Sequence, residues 1–487
     1  MFENHKTLII NLKGGIVAPS WLAAVLEIAQ RAAVESVSFG ARQQLLLKIH
    51  ERELVFFRKK MDELGVQIED NSEVAPNILS SYATADLFQN TADHWLTEGV
   101  YQDALALFDF QPKLKINLCD AAQSFAPFFT GHLNFISSTT PHFWFCFIRQ
   151  PKTNQIERFP QLIYTQDLAV FSKKIETELA ISAYQNIKLS KITEGVIMRP
   201  IEAELTLPRF VMPYYEGVNL LGATPWIGIY RRNEQFSVAF LLELCALCKA
   251  TKIGNLCITT WRSLIIKGAD NADRFRWEKL LGKYGINVRH AALELNWQTE
   301  DDAPHGFRLK NYLVRQFDRL DVRTFGLVFA IKTRRKSEVL GSVIIRRHGF
   351  FTFGDFDFWG LFGVYDIFYA EDFNPHTRRR RTHQLSVPRY RLAHELLILS
   401  KKYYAQLTAE RSKTRLDMKP KTTTSLAETP FLHQCSECLT VFDSDFSKNT
   451  EGVAFENLPK NFTCSTCDAP KSAFVKIKMS ELLGELV

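Results

Sequence analysis

Two cysteine pairs near the C-terminal end of the sequence, Cys435-x-x-Cys438 and Cys464-x-x-Cys467, stand 25 residues apart. No other feature restricts the fold of its segment as tightly. A stretch this short buries too little apolar surface to outweigh chain entropy unaided, so it needs a staple. Two facing C-x-x-C turns supply one, because four sulfurs brought together make the tetrahedral donor set of a structural zinc or a redox-active iron. Metal affinity at such a site is also folding free energy.

The remaining sequence is that of a large globular protein. Its 487 residues suit about three domains, and 46% hydrophobic with 23% charged residues is ordinary for a folded chain. Phenylalanine is abundant, with 38 copies. The densest aromatic stretch, 349–369, is broken by Gly349, Gly354, Gly360 and Gly363 and by Asp355, Asp357 and Asp366, so it is not a membrane span. Its alternation of aromatic and polar residues predicts strands with one buried face. The sequence opens into the strand-like run Thr7–Leu12 with no long apolar core or small-residue cleavage site. A cytoplasmic protein without membrane association is expected, whose nine cysteines serve as metal ligands and buried thiols. Residues from 433 onward carry a net charge of −3, which leaves +10 on the preceding body, suited to docking an acidic electron donor or the chain's own tail.

Periodicity divides that body. Residues 7–69 read as strand (Thr7–Leu12), helix, two strands (Ser36–Phe39 and Leu45–Ile49), helix (Glu51–Leu64) and strand (Val66–Glu69). In the first helix Ser20 is the expected cap, and Leu22, Val25, Leu26 and Ala29 share a face. The order recurs some 220 residues on, with strands Pro225–Tyr230, Asn255–Thr260, Ser263–Lys267 and Ile286–Ala292 and helices Phe236–Thr251 and Ala272–Tyr284. This is the ferredoxin-like split βαβ order, duplicated. At an offset of 220, Arg42 maps onto Arg262, Gly65 onto Gly285, Leu22 onto Leu242 and Val25 onto Cys245. Residues 406–431, rich in Thr, Lys and Ser, have linker composition, with a span of about 25 to 30 Å if flexible.

The residues around the cysteines are more informative than their spacing. Cys435 to Asp443, then Gly452, Phe455, Leu458, Pro459 and Phe462, and finally Cys464 through Ala469 and Lys471 to Phe474, together resemble rubredoxin over residues 433 to 477. The resemblance implies one iron held by Cys435, Cys438, Cys464 and Cys467 that passes single electrons, with Phe442, Phe455, Leu458, Phe462 and Phe474 as its small core. Rubredoxins usually place Gly after each pair, where the backbone turns with positive φ. Here Leu439 and Asp468 stand instead, and Asp accepts that conformation more readily than Leu.

The body carries a second resemblance. Gly14–Leu22, Phe39-Gly-Ala-Arg42-Gln43 and Cys257-Ile-Thr259-Thr-Trp261-Arg262 look like the paired half-domains of siroheme-dependent nitrite and sulfite reductases, over residues 8–70 and 222–290. It implies that Arg42 and Arg262 help hold an anionic tetrapyrrole, a task suited to the guanidinium fork. The family's catalysis also requires a four-iron cluster held by Cys-x5-Cys and Cys-x3-Cys pairs after the second half-domain. No cysteine lies between Cys257 and Cys435. Cys119-x3-Gln123, after the first repeat, offers a single thiolate where such a cluster takes four protein ligands. Siroheme thus stays an optional cofactor, and the 4Fe-4S cluster is not expected.

The expected fold class is α+β: two ferredoxin-like split βαβ repeats, each followed by a mixed α/β segment, plus a small metal-stapled rubredoxin-like β domain. The bounds are 1–72 and 216–295 for the half-domains, 73–215 and 296–405 for the α/β segments, 406–431 for the linker and 432–480 for the metal domain. The expected function is electron transfer serving nitrite or sulfite reduction, with a reductase as donor and a nitrite or sulfite reductase as acceptor. Two alternatives stand beside it: a siroheme reductase with atypical cluster ligation, and a zinc-stapled binding protein. Arg378–Arg381, with His376, His383, Arg389 and Arg391 nearby, is the strongest basic cluster and reads as a solvated charge run. Its other readings are a receiver for porphyrin carboxylates, a phosphate-bearing ligand or nucleic acid, although nucleic acid is not an expected partner of the chain. Cys245, Cys248 and Cys257 read as buried thiols. No Walker loop, dinucleotide fingerprint or His-Glu-x-x-His motif appears, and His132 and His142 lack metal-ligand spacing.

Overall fold

Alternation in the two copies is realised as two antiparallel sheets. His5–Asn11 pairs with Gln44–His50, which pairs with Ser36–Phe39; Trp226–Ile229, Leu264–Lys267 and Leu256–Ile258 repeat the arrangement. Each sheet is then extended by a short strand from the other copy. Phe236–Ser237 joins Ser36–Phe39, and Ile16–Val17 joins Leu256–Ile258. The exchange is reciprocal, so neither sheet is complete without the other copy. Helices Pro19–Arg31 and Val238–Ala250 bury Leu22, Val25, Leu26 and Ala29, and Leu241, Leu244, Cys245 and Cys248, in one core shared with both sheets.

The structure is a computed structural model. It describes residues 5–70, 76–85, 87, 95–149, 155–181, 189–213, 215–219, 225–286, 293–334, 339–347, 363–417, 431–438, 440–442, 455–464 and 467–478. Two compact units emerge, 1–407 and 408–487.

Several sequence expectations shift. Ser20 does not cap the first helix: Ala18 is the N-cap and Pro19 takes the first helical position, where its missing N–H costs nothing. In the second copy Ser237 does cap, accepting from the Phe240 amide at 3.2 Å. Val66–Glu69 shrinks to a single bridge between Glu69 and Ile9, and residues 287–292 of its counterpart lie outside the described residues. The internal register also differs. Ala33 and Lys252 (φ 57° and 59°), Gln43 and Arg262 (φ 58° and 57°), and the buried faces of the two helices coincide at an offset of 219, not 220. An additional residue between Lys267 and Asn271 then restores 220, where Gly65 and Gly285 match at φ 71° and 60°. Arg42 is therefore the counterpart of Trp261, and Gln43 that of Arg262. Hydrogen bonds agree: Gln43 Nε2 donates to the Ser80 carbonyl, and Arg262 Nη2 to the Thr299 carbonyl.

The α/β segments repeat as well. Ile78–Ser80, Ile116–Cys119 and Leu133–Ser137 run parallel before Phe143–Arg149 turns antiparallel, in a seven-stranded sheet. Trp297–Gln298, Phe329–Lys332 and Val343–Arg347 run parallel before Val364–Ala370 and Arg380–Pro388 turn antiparallel, in a five-stranded one. The duplication thus spans half-domain and segment alike. Of the aromatic stretch, Val364–Ala370 is the expected strand, and residues 349–362 lie outside the described residues. The helix Leu392–Asp417 runs through the first dozen residues read as linker, because Leu392, Leu396, Leu399 and Tyr403 are buried against the second sheet's core. Among the described residues, no helix is long and apolar enough to cross a membrane.

In the smaller unit, Phe431–Cys435 pairs antiparallel with Val441–Phe442 on one side and Phe474–Lys478 on the other.

Candidate metal centre

Each cysteine pair sits on a tight turn that the backbone closes. Cys435 ends a strand and donates its amide to the Thr440 carbonyl at 2.9 Å; Cys464 donates to Ala469 at 2.8 Å, and Asp468 back to Cys464 at 2.9 Å. Asp468 takes the left-handed conformation expected of it, φ 57°, and Leu439 lies outside the described residues. The four sulfurs converge within 4.8 Å of one another, with Cys435 to Cys467 at 3.6 Å and Cys438 to Cys464 at 3.5 Å. Metal–sulfur bonds of about 2.3 Å give a tetrahedron with edges of about 3.8 Å, so the tetrad is sized for one ion. Among the described residues it is the only convergence of three or more His, Cys, Asp or Glu ligand atoms.

The sulfurs are not alike. Cys435 and Cys464 are buried, Cys438 is half-buried and Cys467 is exposed. Each turn thus sets one ligand inward and one outward. Hydrogen bonding to Thr440, through its side chain first and its backbone second, pushes the Cys438 thiol down to about 6; the Thr440 hydroxyl is 3.1 Å from its sulfur. At Cys467 the Ala469 backbone lowers the thiol, but Cys438, desolvation and the other two sulfurs together outweigh it and push it up to about 12. Four sulfurs this close cannot all lose their protons without a cation to share them, which is what a metal supplies.

The expected aromatic core forms around the turns. Phe455 meets Phe442, Phe462 and Phe474 with ring centroids 5.1 to 6.1 Å apart. His433, unremarked in the sequence, stacks on Phe455 at 4.1 Å with Nε2 3.6 Å from Glu456. Lys471 donates to the carbonyls of Glu456 and Leu458, at 3.1 and 2.7 Å, and so ties the second turn to the aromatic loop. No periodicity marks these two residues, since their partners are distant in sequence.

In the larger unit the expected ligands are dispersed. Arg42 is buried and donates to the carbonyls of Asn77 and Ile116 and to the Asn117 side chain. Arg262, also buried, reaches Gln298, Thr299 and Asp301, beside the buried pair Lys310–Glu234. Cys245 and Cys248 lie on one helix with thiols pushed up to about 12 by burial, and Cys257 goes to about 11 for the same reason. Cys119 is buried against the Pro127 carbonyl, and Gln123 closes its own loop with both side-chain atoms on Ala126. The basic run divides: Arg379 and Arg381 are exposed beside Glu371, as a solvated run would be, whereas Arg378 turns inward to the Phe129 carbonyl.

Residues 432–474 match the family model for rubredoxin. No curated protein matches the chain. Among solved structures, the NirA protein of Mycobacterium tuberculosis aligns at a TM-score of 0.56 and 13% identity, covering 80% of this chain and 79% of that one. The C-terminal tetrad therefore belongs to a rubredoxin-like domain, carried by a chain with the fold of the NirA protein.

Proposed function

We propose that the chain is a one-electron carrier that binds iron at Cys435, Cys438, Cys464 and Cys467 and serves nitrite or sulfite reduction. The observation that carries this reading is the convergent thiol tetrad inside the rubredoxin match. Iron held by four thiolates supplies a single-electron couple. The chain contributes the rest. The buried sulfurs and the packed Phe rings shield one side of the centre, and Cys467 opens the other to a partner. The reductase setting is supported by the Thr-x-Trp-Arg turn at Thr259–Arg262 and by the NirA fold.

The reading assigns no multi-electron catalysis to the body. A four-iron cluster takes four protein ligands, and the sequence provides no cysteine between Cys257 and Cys435. Siroheme finds poor support in Arg42 and Arg262, whose guanidiniums already serve carbonyls and an aspartate. Redox partner proteins follow: a reductase as donor and a nitrite or sulfite reductase as acceptor, drawn by the +10 charge of residues before 433 if their surfaces are acidic.

A reconstitution tests the proposal. The purified chain should hold one iron, bleach reversibly with reductant, and then deliver electrons to a purified siroheme nitrite or sulfite reductase. No transfer to either enzyme would remove the reductase role. A colourless chain with one zinc would replace the carrier by a zinc-stapled binding protein, since the same four sulfurs suit that ion. Tetrapyrrole absorption with sulfide and several irons would return catalysis to the body.

A further inference from the structure

The two sulfur turns are built alike up to one hydroxyl. In each, the residue two places after the second cysteine turns its carbonyl back to the first: Cys435 donates its amide to Thr440 at 2.9 Å, and Cys464 to Ala469 at 2.8 Å. The same two residues aim backbone N–H groups at the outward sulfurs, Thr440 at Cys438 and Ala469 at Cys467. The turns differ at the side chain. Thr440 Oγ1 is 3.1 Å from Cys438 Sγ, whereas Ala469 has no hydroxyl to offer Cys467.

The backbone holds that hydroxyl in place. Thr440 is half-buried, its carbonyl is fixed by the Cys435 amide, and the next residue, Val441, pairs with Gln434 in the strand that leads into the first turn. A β-branched side chain adds stiffness of its own at χ1. A thiolate ligand has no proton to give. Once the tetrad holds a metal ion, the hydroxyl is therefore the donor and Cys438 Sγ the acceptor.

We propose that Thr440 is a positioning residue for electron transfer, whose hydroxyl raises the reduction potential of the centre by donating to the Cys438 thiolate. The inference rests on the iron-carrier reading and names the side chain that sets its working range. Taking one electron from the reductase donor makes the four-sulfur site one unit more negative; no bond breaks, and the hydroxyl keeps its proton. A donor aimed at sulfur favours that more negative form, because hydrogen bonds to an ionised acceptor are the strong ones. Hydrogen bonds to the sulfurs are among the levers that set the potential of iron–thiolate sites. Partial burial of Thr440 strengthens the effect, since a lower local dielectric makes the bond worth more than one in water. A purely structural Thr440 would change metal retention and leave the potential where it was.

Dye-mediated redox titration of the full iron-loaded chain, followed by visible absorption, tests the assignment. Thr440→Val keeps the side-chain shape and removes the donor; it should lower the potential by about 59 mV, a tenfold change in the one-electron equilibrium. Thr440→Ser returns a hydroxyl to the same place and should restore the parent's value. Ser436→Ala is the control within the first turn. That hydroxyl donates to the Ala473 carbonyl at 2.8 Å and not to sulfur, so its loss should leave the potential at the parent's value. Three results overturn the inference while the carrier reading stands: an iron-loaded Thr440→Val with an unchanged or raised potential, a Thr440→Ser that fails to restore it, or a shift in Ser436→Ala as large as in Thr440→Val. If Thr440→Val and Thr440→Ala both lose their iron, the hydroxyl builds the site and does not tune it, and the inference falls as well. A parent chain without iron overturns the carrier reading and this inference together.

Discussion

Asp468 shows how a single residue answers its backbone: it meets the positive φ of the second sulfur turn, so that turn closes without glycine. The tetrad as a whole was legible because C-x-x-C spacing is local information. Thr440 was not, since its role depends on its hydroxyl coming to rest against Cys438 Sγ. Replacing Cys435 by Ser, at a buried ligand position, should take iron from one per chain toward none and abolish reversible bleaching, measured by elemental analysis and visible absorption. Thr440→Val should keep the colour but weaken metal retention by about 10- to 100-fold in chelator competition, the usual cost of losing an outer partner. His376 gives a pH prediction. Burial pushes it from 6.5 down to about 4, against the Ser124 carbonyl, which raises it, and the folded state holds it neutral between Phe128 and Phe210. Its stabilising contribution is therefore complete above pH 6.5 and is lost as pH falls toward 4, by about 3 kcal/mol in total. Denaturant melts across that range should show the loss in the parent and a flatter profile in His376→Phe; a parallel profile would refute the assignment.

Elements were read more reliably than their register. The three sheet strands and two helices of each copy fell where alternation and the 3.6 period put them, because their buried faces are continuous, whereas Val66–Glu69 came down to one bridge and most of its counterpart lies outside the described residues. The pairing of the copies slipped by one residue, since Gly65 and Gly285 anchor an offset that holds only after the second hairpin. Leu22 belongs with Leu241 and Val25 with Leu244, and each pair is fully buried. The reciprocal strands Ile16–Val17 and Phe236–Ser237 carried no signal at all: two residues are too few for a period, and their partners lie in the other copy. Glycine marks one such close approach. A Cβ on Gly228, in the strand Trp226–Ile229, would lie 1.6 Å from the Tyr215 carbonyl oxygen, which is backbone and cannot turn aside. Gly228→Ala should therefore destabilise the larger unit by about 3 kcal/mol, the upper end for overpacking, seen as a lowered denaturant midpoint at unchanged slope.

At the scale of the whole molecule, the two units draw stability from different sources. The larger one has two extensive cores shared between its copies and a third within the second α/β segment, so an ion bound elsewhere adds nothing to it. Among its described residues the smaller one has a few Phe rings, three short strands and four sulfurs, too little apolar burial to offset its chain entropy. Metal binding by such thiol sets is worth roughly 10 kcal/mol or more, which exceeds any stability so small a core holds alone. Stripping the metal with a chelator under reducing conditions should therefore unfold residues 431–478 and leave the larger unit intact. Hydrogen exchange resolved by peptide should show protection lost across Phe431–Cys435 and Phe474–Lys478, with no change in Gln44–His50 or Leu264–Lys267. Adding back one equivalent of iron or zinc should restore it. Retained protection in the metal-free chain would mean that the aromatic core alone suffices, and the cysteine tetrad would then be a passenger on the fold of its unit and not the cause of it.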